Sequence, residues 1–520
     1  MGGAIGVPPL IIRSAKKTNK TACKCLQGTQ LAGEQKGETM QFFNTQGLPD
    51  FKAGAARHCI TPPVGVSLYG YFHDRIGTYV KDDLFCHAMV IEGNGGKIVL
   101  ISLDLGCIPQ EQVLEAKKLI EEKTGISGSN VLICATHTHT GPVMSPKSFL
   151  KCDTEWLGAL PGKITETVAD ANGKLQSVLL VPATTIGEDL GSNRLARQAD
   201  GSERFTHDGI GPAGPVDKQL HAIRVCNMDG ETIGMLVNFA QHADNIGGAT
   251  ADFISADWPG QVWRTIAQVY GDNVVTVFLN GCCGDLNMSF DHPSRRVPGK
   301  LPRNISMGRA IGGLAIAATE QAEPMETNKI AARIDFLDIP FYTRDAALDA
   351  EVEAERAKMK ATGKLSPLVV QRDNWQHDGE IAHVPVQVMQ CGDILFIGLP
   401  GEVFTSWGLE IKHWSPAKFT VVVELANGYF QYIPTTDQAQ RGAYGAKPIL
   451  SRALEAEAGR KMADRAQVMM YEIFKKSFSI FTNTHKGCCT SCRNSLFSFI
   501  NIKKHKLNWE KTAKNRNLRQ

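Results

Sequence analysis

The chain has 520 residues, 43% of them hydrophobic and 21% charged, with 56 Lys+Arg against 53 Asp+Glu for a formal net charge of +3. That composition excludes a disordered, collagen-like or coiled-coil chain. No run approaches the ~18 apolar residues that span a bilayer. At ~100–200 residues per domain, the length allows two to four domains, or one large α/β unit with extensions.

The net charge hides three zones. Residues 475–520 carry eleven Lys/Arg and one acid, a net of +10; residues 1–50 carry six Lys/Arg and three acids; the remainder is therefore acidic, at −10. Residues 1–50 are polar, rich in Gly, Lys and Gln, and lack periodicity, so they read as a poorly ordered N-terminal extension. Residues 51–474 read as the body and 475–520 as a basic tail. A basic block favours anionic partners, a membrane surface or nucleic acid, and its plainer reading is a solvated, partly disordered extension; of the two partners, peripheral membrane contact is the expectation and nucleic acid is not. Cysteines are scattered singly through apolar stretches, which suits a reducing compartment and slightly favours the cytoplasm. His485, Cys488, Cys489 and Cys492 approach a zinc-knuckle spacing, but only one CxxC is present. Cys23 and Cys25 are inconclusive. Ile5–Ile12 is too short for the apolar core of a signal peptide and contains Pro8 and Pro9.

In chain order, Ala88–Ile91 and Lys97–Leu105 read as a hairpin around Gly93–Gly96. Pro109 opens a helix that runs through Lys123 and stops at Gly125. Val131–Ala135 is a short continuous apolar strand, so this stretch reads as a βαβ unit. Met235–Ala240, Pro259–Tyr270 and Val274–Leu279 repeat the strand–helix–strand pattern. Thr343–Thr362 is a charged, exposed helix. Ile394–Leu399, a helix near Phe404–Lys412, and Phe419–Glu424 repeat the pattern once more. The expected fold is α/β, with a mixed, largely parallel sheet flanked by helices and a metal site at the carboxyl ends of strands.

The polar motifs stand at those strand ends. Val131–Ala135 runs into His137 and His139, Met235–Ala240 into His242, Val274–Leu279 into Asp285, Ile394–Leu399 into Glu402, and Phe419–Glu424 towards Tyr429 and Tyr432. Ligands of open α/β sheets bind outside the carboxyl ends of strands. In extended backbone, residues two apart share a face, so His137 and His139 can address one site. Two histidines and a carboxylate form a common catalytic zinc set, which would supply activated water for attack on a carbonyl. Taken singly, each has a plainer reading: His242 as a satisfied core histidine, Asp285 as a turn or helix cap, and Glu402 as a helix cap.

Seven ordered segments within 51–474 resemble the neutral/alkaline, non-lysosomal ceramidase family in its N-terminal catalytic domain. They are Ile60–Val66 (ITPPVGV), Ala135–Pro142 (ATHTHTGP), Asn238–His242 (NFAQH), Ile254–Gly260 (ISADWPG), Gly284–Asn287 (GDLN), Pro400–Glu402 (PGE) and Tyr429–Thr435 (YFQYIPT). The resemblance implies one Zn2+ per chain held by His137, His242, Glu402 and Tyr432. It also implies His139 facing the substrate carbonyl or the water, Tyr444 stabilising the oxyanion, and Asn193 and Arg194 contacting substrate. The implied reaction is hydrolysis of the N-acyl amide of ceramide or a related N-acyl lipid by zinc-activated water.

The chain departs from that family at three places. Asn287 stands where the pattern places a serine in the block begun by Asp285, and Ser289 lies two residues later; hydrolysis survives, but a covalent intermediate loses its nucleophile. Ala243-Asp244-Asn245, after the second zinc histidine, differs from the ceramidase pattern. The 46-residue tail is too short for the family's C-terminal immunoglobulin-like domain, so that domain is expected to be missing. Two alternatives stay open: a zinc amidase or esterase of the same scaffold acting on a non-lipid substrate, and a non-catalytic relative that binds ligand. The four intact ligand positions argue against the latter.

Overall fold

The computed structural model describes residues 50–484 except 147, 149, 206–209, 289–301 and 344; for 288 and 475–484 it describes backbone alone. Two sheets dominate. The larger is built from β1 (Phe51–Cys59), β2 (Phe85–Gly93), β3 (Gly96–Leu103), β4 (Val131–Ala135), β5 (Gln176–Ile186), β6 (Gln219–Asn227), β7 (Thr232–Phe239) and β8 (Val275–Asn280). Their spatial order is β8-β7-β6-β5-β1-β2-β3-β4. The smaller contains β9 (Ile330–Pro340), β10 (Ile381–Cys391), β11 (Ile394–Gly398) and β12 (Phe419–Val423), adjacent in that order.

Alternation along the strands explains how these sheets stack. In β2 and β3, Met89, Ile91, Ile98 and Leu100 enter one apolar cluster, while Ala88, Val90, Val99 and Ile101 enter another. In β10 and β11, Met389, Cys391, Ile394 and Phe396 join the first of these clusters, while Val386, Val388, Leu395 and Ile397 point the opposite way. The shared cluster is therefore the interior between two sheets packed face to face. Strands buried on both faces read as unbroken apolar runs, which is why VLICA and ILFIGL carry no polar alternation.

Helices cover the outer faces. α1 (Gln110–Thr124) and α2 (Thr154–Gly173) supply Val113, Ala116, Ile120, Leu160, Ile164 and Val168 to one outer layer. α3 (Asp257–Tyr270) and α4 (Arg303–Thr319) supply Val262, Ile266, Met307 and Ile311 beside it. On the smaller sheet, α5 (Thr405–His413) and α6 (Ala458–Thr484) supply Trp407, Ile411, Met462 and Met469. Each such Val, Leu, Ile or Met side chain contributes about 1.5–3 kcal/mol when fully buried. The result is a helix–sheet–sheet–helix stack.

The α/β class, the mixed sheet and the flanking helices agree with the sequence expectation. All three strand–helix–strand units form parallel pairs: β3 with β4, β7 with β8, and β11 with β12. The expected parallel share was too large, however. The other seven neighbouring pairs in the two sheets are antiparallel. The long strands Gln176–Ile186, Gln219–Asn227, Ile330–Pro340 and Ile381–Cys391 supply most of them, and their mixed polar and apolar pattern carries no strong period. The charged helix is observed at Ala346–Thr362.

The boundary drawn after 474 falls inside α6. Cys23, Cys25, Ser289, His485, Cys488, Cys489 and Cys492 lie outside the described residues, as do 1–49 and 485–520. Among the described residues nine cysteines are free, and no helix is long and apolar enough to cross a membrane.

The three parallel pairs present their carboxyl ends to one place, where the sheets are stitched together. Asn427 N donates to Ile133 O at 2.8 Å, and Glu424 N to Asn280 O at 3.0 Å. Asn238 Nδ2 bridges both sheets through Leu279 O and Val422 O.

Candidate metal centre

His137 follows β4 with φ of 69°, in the left-handed region. A residue other than glycine costs roughly 1–3 kcal/mol there and persists only where its surroundings enforce it. Two backbone bonds enforce it: Thr136 N donates to Leu103 O and His137 N to Leu105 O, both at 2.9 Å. The two histidines of the motif therefore do not share a face by extended geometry, as the sequence argument supposed. A turn brings them together instead, with ring centroids 4.9 Å apart.

His242, after β7, meets them. His137 Nε2 lies 3.0 Å from His242 Nε2 and 3.4 Å from His139 Nε2. Glu402, after β11, places Oε2 3.3 Å from His137 Nε2 and 3.7 Å from His242 Nε2. His137, His242 and Glu402 are at most 3% exposed, and His139 8%. Both other ring nitrogens of the first pair are engaged: His137 Nδ1 with Gly106 O at 2.7 Å and His242 Nδ1 with Cys283 O at 3.2 Å. A carbonyl oxygen only accepts, so each Nδ1 carries a proton and each Nε2 presents a lone pair when its ring is neutral.

Glu402 Oε2 is buried with no hydrogen-bond partner. Its companion Oε1 accepts from Tyr429 OH at 2.8 Å, and Tyr429 in turn accepts from Tyr69 OH at 2.8 Å. The Tyr432 hydroxyl also faces the Glu402 carboxyl and helps hold its pKa below the ordinary value. Lone pairs on two imidazoles and one orphaned carboxylate oxygen thus face a common point, which is the donor set of a divalent transition metal. His137, His139 and His242 form a buried three-histidine cluster able to hold such an ion.

The electrostatics agree with a centre built for a cation. Burial opposes charge on His137, but the Glu402 carboxylate outweighs it and holds the imidazole above its ordinary pKa. Burial, reinforced by His137, presses His242 well below the usual range. Burial likewise brings His139 down to about 4, against the pull of Asp244. Burial would raise Glu402, yet His137 and the tyrosine hydroxyls bring it down to about 2. A metal in place of the proton on His137 satisfies all these groups at once.

The remaining expected residues fall on two sides of this centre. Arg194 is buried, donates from Nε to Leu286 O at 3.3 Å, and stacks 4.0 Å over the Tyr444 ring. Tyr444 is 42% exposed and packs edge-on against Tyr432 at 5.9 Å. Asn193 Nδ2 donates to Asp285 Oδ2 at 2.8 Å, and Asp285 Oδ1 accepts from Thr405 N at 2.7 Å. Asp285 thereby ties the β8 loop to the start of α5. Asn287 lies in a short antiparallel ladder opposite Ser192.

Sequence reasoning passed over several residues of the site. Tyr69 and Tyr71 flank Gly70, and that Tyr-Gly-Tyr spacing just after the ITPPVG segment was the available signal. Glu424 was read only as a strand end; its buried carboxyl accepts from Cys283 N at 3.0 Å and Val403 N at 2.9 Å. It so fixes the backbone beside both His242's acceptor and Glu402. Burial raises its pKa to about 8.

No family profile matches the chain. Among solved structures, neutral ceramidase from Pseudomonas aeruginosa is similar at a TM-score of 0.65 and 19% identity, with 82% of this chain and 75% of that chain covered. A ceramidase complexed with C2 is similar at a TM-score of 0.66 and 18% identity, over 82% and 76% of the two chains. The chain has the fold of the neutral ceramidases, with a buried histidine–carboxylate cluster where its parallel strand pairs end.

Proposed function

We propose that this chain is a zinc-dependent amidohydrolase that cleaves the N-acyl amide of ceramide or a related N-acyl lipid. The observation that carries the reading is the convergence of His137 Nε2, His242 Nε2 and the orphaned Glu402 Oε2 within a ceramidase fold. His137, His242 and Glu402, with Tyr432 at the Glu402 carboxyl, are the residues that would hold zinc. Bound there, zinc would supply Lewis-acid activation of water and carbonyl.

The chain's own residues supply the rest. Water adds hydroxyl to the acyl carbon and a proton to the amine nitrogen as the amide C–N bond breaks. Tyr444 OH, at the exposed edge of the site, donates to the oxygen that gains charge. Arg194 holds a fixed positive charge beneath the Tyr444 ring, and Asn193 and Asp285 set its backbone; Arg194 N donates to Asp285 O at 2.7 Å. With Asn287 in place of a serine, hydrolysis is direct, without an acyl-enzyme. His139 stands beside the reacting carbonyl. The basic segment 475–520 would hold the protein at an anionic membrane surface.

A second reading has its own support. Tyr71, Arg75 and Asp244 form a polar wall beside His139, with Tyr71 OH on Asp244 Oδ2 at 2.8 Å and the Arg75 guanidinium 4.2 Å over the Tyr71 ring. Such a wall suits a soluble amide or ester. The deciding experiment pairs metal analysis with hydrolysis of a fluorescent N-acyl-sphingosine and of a short soluble N-acyl amide. Lipid turnover that is lost in His137→Ala and Glu402→Gln supports the first reading. Turnover of the soluble substrate alone favours the second, and full activity in either variant removes the zinc assignment.

A further inference from the structure

The surroundings of Glu402 treat its two carboxylate oxygens differently. Oε2 is buried without a hydrogen-bond partner, 3.3 Å from His137 Nε2. Oε1 accepts from Tyr429 OH at 2.8 Å. A carboxylate oxygen does not donate, so the single Tyr429 proton is committed to Glu402, and Tyr429 OH must accept from its other neighbour. That neighbour is Tyr69 OH, at 2.8 Å. The two hydroxyls therefore run in one direction, Tyr69 to Tyr429 to Glu402. The bond to the carboxylate is charge-assisted, the stronger kind.

Each tyrosine is itself held in place. The loop that carries Tyr429 has three residues other than glycine in the left-handed region: Leu425 at φ 52°, Asn427 at 62° and Gln431 at 58°. Such a backbone persists only where its surroundings enforce it. Here Leu425 N donates to Gly401 O at 3.1 Å, Asn427 N to Ile133 O at 2.8 Å, and Tyr432 N to Ser451 O at 3.0 Å. Asn427 Nδ2 donates to Gln387 Oε1 at 2.7 Å. Tyr69 comes from the connection between β1 and β2. Its ring lies on Gly106, where a Cβ would sit 2.1 Å away. Gly106 O is the acceptor that fixes His137 Nδ1. The same ring packs edge-on against His137 and His139, with centroids 6.0 Å apart in each case. Tyr69 thus touches the support of His137 with its ring and the support of Glu402 with its hydroxyl.

We propose that Tyr429 is a positioning residue: by holding Oε1 it turns Oε2 of Glu402 to the metal as a one-oxygen donor, and Tyr69 acts through Tyr429 to keep that hydroxyl aimed at the carboxylate. The inference rests on the metal-centre reading and deepens it, since neither tyrosine is among the residues that would hold zinc. Hydrogen-bond partners of metal ligands fix ligand orientation in this way. A carboxylate released by Tyr429 can rotate and offer either oxygen or both, so the coordination itself changes and not only the stability of the loop.

The test uses the full-length protein. Zn2+ affinity is measured by competition with a chromophoric chelator, and coordination is read from the visible spectrum of the Co2+ form. Tyr429→Phe keeps the ring and removes the hydroxyl. It is expected to weaken Zn2+ binding by about 10–100-fold and to shift the Co2+ bands. Tyr69→Phe should weaken binding less, because Tyr429 still reaches Glu402. Added to Tyr429→Phe it should cost nothing further, because Tyr69 acts through Tyr429. A merely structural pair would instead lower the Tm of the metal-free protein and leave affinity and bands as they were. Wild-type affinity and spectrum in folded Tyr429→Phe, or a full further loss when Tyr69→Phe is added to it, would each overturn the proposal. Wild-type protein that binds neither Zn2+ nor Co2+ overturns the metal-centre reading and this inference with it.

Discussion

His137 and His242 face each other Nε2 to Nε2 across 3.0 Å while both Nδ1 protons go to backbone carbonyls. Two lone pairs at that distance repel unless a proton or a metal cation sits between them, and Glu402 Oε2 stands 3.3 Å from the first. The fold therefore builds its charge requirement into the backbone: Gly106 O and Cys283 O decide the tautomers, and the tautomers decide that the centre is anionic or lone-pair rich.

Metal should therefore stabilise the folded chain. Zn2+ at one hundred times its Kd is expected to add about 2.7 kcal/mol, and dialysis against a chelator should lower Tm. The thermal shift should disappear in His242→Ala. A Tm indifferent to Zn2+ and chelator in the wild type would contradict the arrangement.

Gly70 sets how closely the Tyr-Gly-Tyr loop approaches His139. Its φ of 102° disfavours any side chain, and an added Cβ would meet the imidazole at 2.5 Å. Gly70→Ala is expected to destabilise the protein by about 1–3 kcal/mol and to weaken Zn2+ binding. Urea denaturation with chelator competition measures both, and an unshifted midpoint would show that the loop relaxes freely.

Tyr444 and Arg194 form a stacked pair at the edge of the centre. Loss of one oxyanion donor lowers kcat by about 10²–10³-fold, which is the expectation for Tyr444→Phe on whichever test substrate is turned over. Metal content should not change. A variant with full kcat would take Tyr444 out of the reaction.

Asp285 accepts from Thr405 N and Asn193 Nδ2 in a buried site. Asp285→Ala leaves buried donors unpaired at about 1–3 kcal/mol each. A lowered Tm with Zn2+ affinity retained is expected. Loss of activity with stability unchanged would instead assign Asp285 to the chemistry.

Lys117, on α1, is 6% exposed and its Nζ has no hydrogen-bond partner. Burial lowers its pKa to about 7, from 10.5. Between those values the unfolded chain binds a proton that the folded chain lacks, so this residue makes stability rise with pH from about 7 to 10.5 and then level off. Below pH 7 the full penalty is present, on the order of a few kcal/mol. Lys117→Met should raise stability most at pH 6 and least at pH 10. Urea midpoints at the two pH values check this, and an equal gain at both would contradict a buried, depressed lysine.

What the sequence determined by itself was local and chemical. Short apolar runs bounded by turn residues fixed three strand–helix–strand units, because strands buried on both faces must be continuously apolar. The same runs end in His137, His242, Asp285, Glu402 and Tyr432, so the candidates were legible as residues displaced past strand ends. Tertiary structure decided the rest. The antiparallel majority depends on which distant strands pair, and β5, β6, β9 and β10 mix polar and apolar residues without a clear period. The left-handed turn at His137 is imposed by Leu103 O and Leu105 O on a neighbouring strand's extension, and residue type alone disfavours it. Asp244 illustrates the same limit most sharply: in sequence it is an unexplained departure after a histidine, and only Arg75, donating to both His139 O and Gly248 O, and the space at Gly70 bring its carboxylate to face His139.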